Sequence, residues 1–260
     1  MQNRMPPPNP VMNMSSPLAS GIVGYWTLSE AGGKVANNLA EGATKDATLS
    51  ATGGVFTASR NGPVVHCDQS VFPVNADSTR GCEPPLTLAA WCSPESVGTD
   101  SIIYIGLSQE IGIQVQFPNF QAMTEGNAGN VQAVSTTIVV ANTWYFVAGV
   151  FASATSRKIY VNGRFEAENT TSSTSSGASK VRIGDRNLAP GQRFPGLIGN
   201  AAIWGRALSD TEISYLYANP WTMLVPNQPR YASLPAIIPT PTGANPVARF
   251  DRIRSRRTSW

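Results

Sequence analysis

The chain has 260 residues, of which 42% are hydrophobic, so it is long enough to bury the core of one large β domain or two small ones. Only 13% of the residues are charged, and no run reaches the roughly 18 apolar residues that a membrane-spanning helix requires. The 23 glycines and 20 prolines favour short strands joined by many turns over long helices.

Positive charge is concentrated at the C-terminal end. The formal net charge is +3, but residues 230–260 hold six arginines and one aspartate. The remaining residues hold slightly more acidic than basic side chains and are close to neutral. This asymmetry predicts a basic arm that meets an acidic partner.

The N-terminal residues 1–20 have no hydrophobic periodicity, and their five prolines favour extended backbone. We therefore interpret them as an extended arm. They lack the continuous apolar region of a signal peptide, so we expect synthesis in a host cytoplasm without export. Three cysteines, Cys67, Cys82 and Cys92, form no disulfide framework and are predicted to be buried, reduced thiols.

Apolar runs of strand length recur between turn signals from Gly21 to Pro226, a pattern typical of a β-sandwich or barrel. In the first half the predicted strands are Gly21–Leu28, Leu86–Cys92, Ile102–Leu107 and Ile111–Phe117. The last two flank residues 108–110 and predict a hairpin.

In the second half the predicted strands are Val131–Val140, Thr143–Phe151, Arg157–Val161, Arg164–Glu168, Val181–Gly184 and Leu197–Ile203. Asn162-Gly163 joins the third and fourth of these strands. Asn-Gly favours a type I′ hairpin turn, because both central residues of that turn need positive φ.

One helix is predicted after the last strand. Ser209 suits the N-cap, and Glu212 three residues later completes a capping box. Ile213, Leu216 and Tyr217 then share one face, which we expect to cover a sheet edge or the end of the sandwich. Residues 227–260 are interrupted by prolines and rich in arginine, so we interpret them as a second arm.

The middle of the chain resembles the laminin G-like jelly rolls of the concanavalin A-like lectin/glucanase superfamily. The resemblance rests on an ordered set of segments. They are GIVGYWTLSEAGG (21–33), Gly62–Asp68 followed by PLTLAAWCSPE (85–95), TWYFVAGVF (143–151), KIYVNGRFEA (158–167), RIGDRN (182–187), FPGLIGNAAIWGRALSDTEISYLY (194–217) and ANPW (218–221).

The resemblance implies an all-β, two-sheet antiparallel jelly-roll sandwich over residues 21–226, flanked by arms at 1–20 and 227–260. Such domains bind glycans or proteins, sometimes through Ca²⁺ on a loop rim. No cofactor is required by the sequence. Aspartates near turns could supply the oxygen ligands of Ca²⁺, but we assign no ligand among them. They are Asp46, Asp68, Asp77, Asp100 and Asp185.

Catalysis is not expected. Glucanases of the superfamily carry an E-x-D-x-x-E strand motif, which this sequence lacks. Glu166 and Glu168 could share a strand face, but they follow a hairpin turn and are interpreted as solvent-facing. His66 adjoins Cys67, and neighbours on a strand point to opposite faces, so this pair predicts neither a dyad nor a zinc site.

Four tryptophans, Trp26, Trp91, Trp144 and Trp204, lie in predicted strands and are expected in the core. Other residues are candidates for anchoring a partner, either as aromatic anchors or as donors to acidic surfaces. They are Trp221, Arg252, Arg254, Arg256, Arg257 and Trp260.

The ending ANPW with its Pro/Arg-rich tail looks similar to bacteriophage structural proteins. This similarity favours a non-enzymatic virion protein, a decoration, fibre or tail-associated component, that forms a homo-oligomer. Its arms would bind other virion proteins, and its sandwich would contact host-surface glycans. We expect neither a nucleic-acid nor a membrane partner. A stand-alone glycan-binding module and a glycoside hydrolase are the alternatives.

Overall fold

Two antiparallel sheets pack face to face, and apolar side chains of the facing strands meet between them. The computed structural model describes residues 5–30, 32–40, 46–49, 55–59, 62–67, 74–78, 81–96, 98–177, 179–186 and 193–227. The chain divides into the units Met1–Asn227 and Gln228–Trp260, and all described residues belong to the first.

The described residues form strands and one α-helix. In chain order they are β1 (Pro10–Met12), β2 (Ile22–Trp26), β3 (Val35–Ala36), β4 (Ala47–Thr48), β5 (Val55–Ser59), β6 (Gly62–Cys67), β7 (Val74–Ser78), β8 (Leu86–Pro94), β9 (Thr99–Gly106), β10 (Glu110–Gln116), β11 (Asn119–Gly126), β12 (Gly129–Ile138), β13 (Tyr145–Ser153), β14 (Ser156–Val161), β15 (Arg164–Asn169), β16 (Ser179–Ile183), β17 (Gly196–Trp204), α1 (Asp210–Ala218) and β18 (Leu224–Pro226).

The first sheet has eight strands in the order β12-β11-β10-β9-β16-β7-β4-β3. The second sheet has the order β15-β14-β13-β8-β17-β6-β5, and β2 also pairs with β17. The predicted all-β sandwich with one short C-terminal helix is therefore confirmed. Among the described residues, no helix is long and apolar enough to cross a membrane.

The main core lies between the two sheets. Leu86, Leu88 and Ala90 of β8 point into it from the second sheet, and Ile111 and Ile113 of β10 meet them from the first. Burial of each leucine or isoleucine side chain in this core stabilises the fold by about 1.5–3 kcal/mol. The three cysteines are buried in the described structure without disulfides, as predicted.

The second sheet is apolar on its outer face as well, and a second core covers that face. All nine residues of β8 are buried, because its alternate side chains point outward into this second core. Leu18, Ile213 and Leu216 pack on this face. The helix α1 therefore covers the face of a sheet, and the prediction that it covers an edge or an end was wrong.

The β14–β15 turn and the start of α1 agree with the predictions from their local residues. Asn162 and Gly163 have φ of 50° and 77° and join the paired strands β14 and β15. At α1, Ser209 Oγ accepts from the Glu212 backbone N–H at 3.3 Å, and the Glu212 carboxylate accepts from the Ser209 N–H at 2.9 Å. The predicted capping box is present.

The segment interpreted as an N-terminal arm is described from Met5 onward, and it lies against the second sheet. Its strand β1 pairs with β18. Leu18 is buried, and its carbonyl accepts a hydrogen bond from Trp204 Nε1 at 2.7 Å. The Arg206 guanidinium donates to the Ser20 carbonyl at 2.8 Å. The predicted C-terminal arm beyond Asn227 lies outside the described residues.

Candidate functional site

Part of the outer face of the second sheet lies beyond the second core. Cys92 of β8 and Cys67 of β6 point inward, so Trp91, Ser93 and His66 point outward on these strands. This alternation places His66 and Cys67 on opposite faces, as expected. The described outer face here carries both aromatic and polar side chains.

A cleft with aromatic and proline walls lies on this face, and we call it the aromatic cleft. It is lined by Pro6, Pro63, Val64, Trp91, Trp144, Gly199, Asn200, Pro220 and Trp221. Trp144 and Trp221 are partly exposed at its walls, whereas Trp91 and Asn200 are buried in its floor. The N-terminal segment, three strands and the segment after α1 all contribute to it.

A β-bulge in β17 makes room for Trp144. The register between β17 and β8 shifts between Ile198 and Asn200, which leaves Gly199 as the extra residue. A Cβ placed on Gly199 would lie 3.3 Å from the Trp144 ring, so the ring packs closely against the glycine backbone. The Asn142 N–H donates to the Pro94 carbonyl at 2.5 Å and holds the loop before Trp144 to the end of β8.

The floor of the aromatic cleft is held by packing and hydrogen bonds. The Trp91 ring stacks on Tyr217 of α1, with centroids 5.7 Å apart, and packs against Phe146 at 5.5 Å. Asn200 Oδ1 accepts a hydrogen bond from the Trp91 backbone N–H at 3.3 Å. The Trp91 indole nitrogen is buried and has no hydrogen-bond partner within the described structure.

Trp221 is fixed through its backbone. The Tyr25 hydroxyl donates to the Pro220 carbonyl at 3.2 Å, and the Leu224 N–H donates to the Trp221 carbonyl at 2.9 Å. Burial raises the pKa of Tyr25 well above its ordinary value, so its hydroxyl keeps the proton it donates. Trp221, which the sequence predicted to anchor a partner, thus lines the aromatic cleft.

A second concave region, the polar groove, lies on the other side of Trp144. It is lined by Thr57, Ala58, Ser59, His66, Ser93, Glu95, Asn142, Thr143, Trp144 and Leu197. His66 Nε2 lies 3.0 Å from Glu95 Oε2, and the side chains of the pair are 37% and 45% exposed. The groove therefore offers hydroxyl, amide, imidazole and carboxylate groups to a ligand.

The tryptophans predicted to form the core occupy two kinds of position. Trp26 and Trp204 are fully buried, as predicted. Trp144 lies just before β13 and is only partly buried, because the bulge at Gly199 receives its ring on the outer face. The prediction of core packing therefore holds in part for Trp144, which packs against the second core but stays partly exposed. The proposed anchors Arg252, Arg254, Arg256, Arg257 and Trp260 lie outside the described residues.

Glu166 joins the free edges of the two sheets. β12 ends the first sheet and β15 ends the second, and Glu166 of β15 accepts hydrogen bonds from the backbone N–H groups of Thr136 and Thr137, both at 2.9 Å. The Thr137 hydroxyl donates to its other oxygen at 2.5 Å. Glu168 accepts from the Ser156 hydroxyl at 2.7 Å. Both carboxylates thus have structural partners.

A buried network of charged and polar side chains covers part of the outer face of the first sheet. Arg182 and Arg186 donate to the two oxygens of Glu110 at 3.0 and 2.9 Å, and Arg186 also pairs with Glu125. The Arg186 guanidinium lies 5.3 Å from the centre of the Tyr104 ring. Because these charges pair with each other, the network presents little to a ligand, and removal of one partner would leave an uncompensated buried charge.

Two buried aspartates have unusual environments. Asp100 is 3% exposed, its Oδ2 has no hydrogen-bond partner in the described part of the chain, and burial raises its pKa to about 6. Burial also raises the pKa of Asp185. No three histidine, cysteine or acidic side chains among the described residues come together to hold a metal. Calcium binding stays a prediction, and Asp68 lies outside the described residues.

The sequence identifies the family of the chain. The concanavalin A-like lectin/glucanases superfamily matches residues 70–214, which is more than half of the chain. The chain therefore belongs to this superfamily. No curated protein sequence matches it.

Solved structures share the fold at low sequence identity. Domain 4 of AbnA, a GH43 extracellular arabinanase from Geobacillus stearothermophilus solved with arabinotriose, has a TM-score of 0.59 and 15% identity over 75% of this chain and 98% of that domain. The receptor-binding domain of botulinum neurotoxin D has a TM-score of 0.61 and 10% identity, over 78% of this chain and 54% of that one.

The binding domain of Paraclostridial Mosquitocidal Protein 1 has a TM-score of 0.57 and 13% identity, over 77% of this chain and 52% of that domain. The chain thus spans about half of each toxin domain but nearly all of the arabinanase domain. At these identities the likeness describes the fold alone.

Replacing Glu166 tests its structural role. We expect Glu166→Ala to lower the free energy of unfolding by about 1.5–3 kcal/mol, because two backbone N–H groups lose a charged acceptor. The matched control Glu168→Ala removes one exposed hydrogen bond and should cost under about 1 kcal/mol. Urea unfolding measures both. Equal losses in the two variants would contradict the role of Glu166.

Proposed function

We propose that the protein is a non-catalytic carbohydrate-binding module, and that a glycan lies in the polar groove and packs on the exposed parts of the tryptophans at the mouth of the narrow aromatic cleft. The observation that carries the proposal is the presence of two partly exposed tryptophans, Trp144 and Trp221, on the walls of one cleft beside a polar groove. A sugar ring has an apolar face and polar edges. It is bound well by an aromatic side chain with hydrogen-bonding groups next to it.

The pre-formed cleft further supports the proposal. Trp91 is packed between Phe146 and Tyr217, and Trp144 is packed on Gly199, so these rings lose little freedom when a ligand binds. A relative in the fold, domain 4 of the arabinanase, was solved with arabinotriose. Other relatives are the receptor-binding or binding domains of toxins.

The charges around the cleft favour binding over hydrolysis. Glycosidases of the two common mechanisms need a pair of carboxyl groups across the scissile bond. Among the described residues that line the aromatic cleft and the polar groove, Glu95 is the one carboxylate. Glu166 and Glu168, the pair considered from the sequence, have structural partners. These observations weigh against the glycoside hydrolase alternative.

Removing a cleft tryptophan tests the proposal. A glycan array with the full chain first identifies the best ligand, and titration calorimetry then compares variants. We expect Trp144→Ala and Trp221→Ala each to weaken binding at least tenfold, or about 1.4 kcal/mol. Phe165→Ala removes an exposed aromatic ring away from the cleft and should leave affinity unchanged.

If a glycan binds both tryptophan variants as tightly as it binds the parent protein, its site lies away from these two residues. Failure of every glycan to bind the parent chain would reject carbohydrate binding. Thermal unfolding of each variant establishes that a loss of affinity is not a loss of fold.

We further propose that the terminal segments attach this module to a bacteriophage virion, where it forms a homo-oligomer. The closeness of the two ends of the described chain supports attachment through both terminal segments. The pairing of β1 with β18 brings both ends of the described chain together, and the Asn227 N–H donates to the Asn9 carbonyl at 3.0 Å.

The chemistry of residues 230–260 suits a protein partner. Their arginines, Arg252, Arg254, Arg256 and Arg257 among them, can donate bidentate hydrogen bonds to carboxylates on neighbouring virion proteins. Trp260 supplies an aromatic anchor at the end of this segment. The sandwich would then face outward, with its cleft available to host-surface glycans.

Deleting residues 230–260 tests the attachment. We expect at least a tenfold drop in incorporation into purified virions, because the basic anchor is lost, with no change in glycan affinity. Quantitative immunoblotting of particles measures the first quantity and calorimetry the second. A variant in which Arg252, Arg254, Arg256 and Arg257 are all replaced by lysine keeps the charge but loses the bidentate hydrogen bonds. We expect its incorporation to lie between that of the parent and that of the deletion. Undiminished incorporation of the deletion would contradict the anchoring role.

A further inference from the structure

Among the described residues that line the proposed glycan site, the one side chain with a full charge is acidic. Of the described residues that line the aromatic cleft and the polar groove, none is a lysine or an arginine, and Glu95 is the one acidic residue. His66 is the other ionisable group of the groove, and it is already paired with Glu95. Anionic ligands are normally held by arginine or lysine donors, and the described part of these walls offers none.

We infer that the ligand is an uncharged, extended oligosaccharide of at least two linked rings, and that Glu95 selects against acidic glycans. The inference rests on the proposed function. In addition to binding itself, the charge and the length of the ligand are specified, and Glu95 is the residue that determines the specificity for charge.

Glu95 is placed to contact the ligand. It is the residue after the end of β8, and its side chain is 45% exposed in the groove. His66 contacts Oε2 at 3.0 Å, whereas Oε1 has no hydrogen-bond partner in the described structure. The free oxygen can accept a hydrogen bond from a sugar hydroxyl. The same oxygen repels the carboxylate or sulfate of an acidic sugar at short range.

Three arginines of the described sandwich are held by partners outside the site. Arg182 and Arg186 lie on the outer face of the other sheet and are engaged by Glu110 and Glu125. Arg157 is buried between the sheets and donates to backbone carbonyls. These arginines therefore have partners already and lie away from the cleft.

The length of the ligand follows from the position of Trp144. Its side chain is a wall of both the aromatic cleft and the polar groove. The aromatic cleft encloses only about 20 Å³, so a sugar ring packs at its mouth, on the exposed parts of Trp144 and Trp221. A single ring there leaves the hydrogen-bonding groups of Ser93, Glu95 and Asn142 unused. A chain that crosses Trp144 contacts both regions, so each added ring gains interactions until the groove is filled.

The experiment compares oligosaccharides of matched length on the full chain. An array carries neutral hexaoses of arabinose, xylose, glucose, galactose and mannose beside hexagalacturonate and sulfated and sialylated galacto-oligosaccharides. Calorimetry then follows the best neutral sugar from one to six rings. We expect neutral sugars to bind at least tenfold more tightly than acidic ones, and affinity to rise at least tenfold between one and three rings.

Two variants separate the contribution of Glu95 from that of the fold. Glu95→Gln keeps an oxygen that can accept a hydrogen bond from His66 but removes the negative charge. We therefore expect the ratio of neutral-sugar affinity to acidic-sugar affinity to fall at least threefold. Glu168→Gln removes a carboxylate outside the site and should leave the preference unchanged. An unchanged preference in Glu95→Gln would overturn the role of Glu95.

The outcomes distinguish this inference from the proposed function. No binding to any glycan would reject carbohydrate binding itself. Binding that prefers hexagalacturonate or a sialylated sugar would overturn the inference and leave carbohydrate binding standing. A monosaccharide that binds as tightly as the hexaose would overturn the extended site.

Discussion

The pairing of β8 with β17 at the centre of the second sheet is the constraint on which the rest of the structure depends. Both strands carry apolar side chains on both faces, so the sheet must be covered on both sides. The first sheet covers the inner face. On the outer face the N-terminal segment, α1 and the segment before β18 supply the cover, with Leu18, Ile213 and Leu216 among its contacts.

The cleft exists because that outer cover is incomplete. The cover ends at Trp91 and Asn200, and beyond them the outward side chains of the sheet are polar or only partly buried. The bulge at Gly199 then changes the local register and lets the Trp144 ring lie against the backbone. A structural irregularity in a central strand thereby creates a concave surface, as bulges near functional sites often do.

The sequence predicts the regular part of the fold well and the site poorly. Apolar runs such as Leu86–Cys92, the Asn162-Gly163 turn and the Ser209 capping box are determined locally, and the structure confirms them. β11 was not predicted, because the polar residues of FQAMTEG obscure its alternation and only pairing with β10 and β12 defines it.

The candidate site is determined by long-range contacts. Trp144 was assigned to the core because its flanks look like a strand, and nothing local reveals that Gly199, more than fifty residues later, receives its ring. The cleft also needs Pro6 and Trp221 from opposite ends of the described chain. Trp221 was singled out because it follows Pro220 after the helix, outside the predicted strands, and because aromatic residues often dominate interface energy.

The indole resonances of the six tryptophans offer the most direct test of the central claim. In a nitrogen-15 correlation spectrum, titration of the best array glycan should shift the Trp144 and Trp221 indole signals as the site fills. The signals of Trp26 and Trp204, which are buried away from the cleft, should stay in place. Saturable binding that leaves the Trp144 and Trp221 signals unmoved would contradict a glycan site at the mouth of the aromatic cleft.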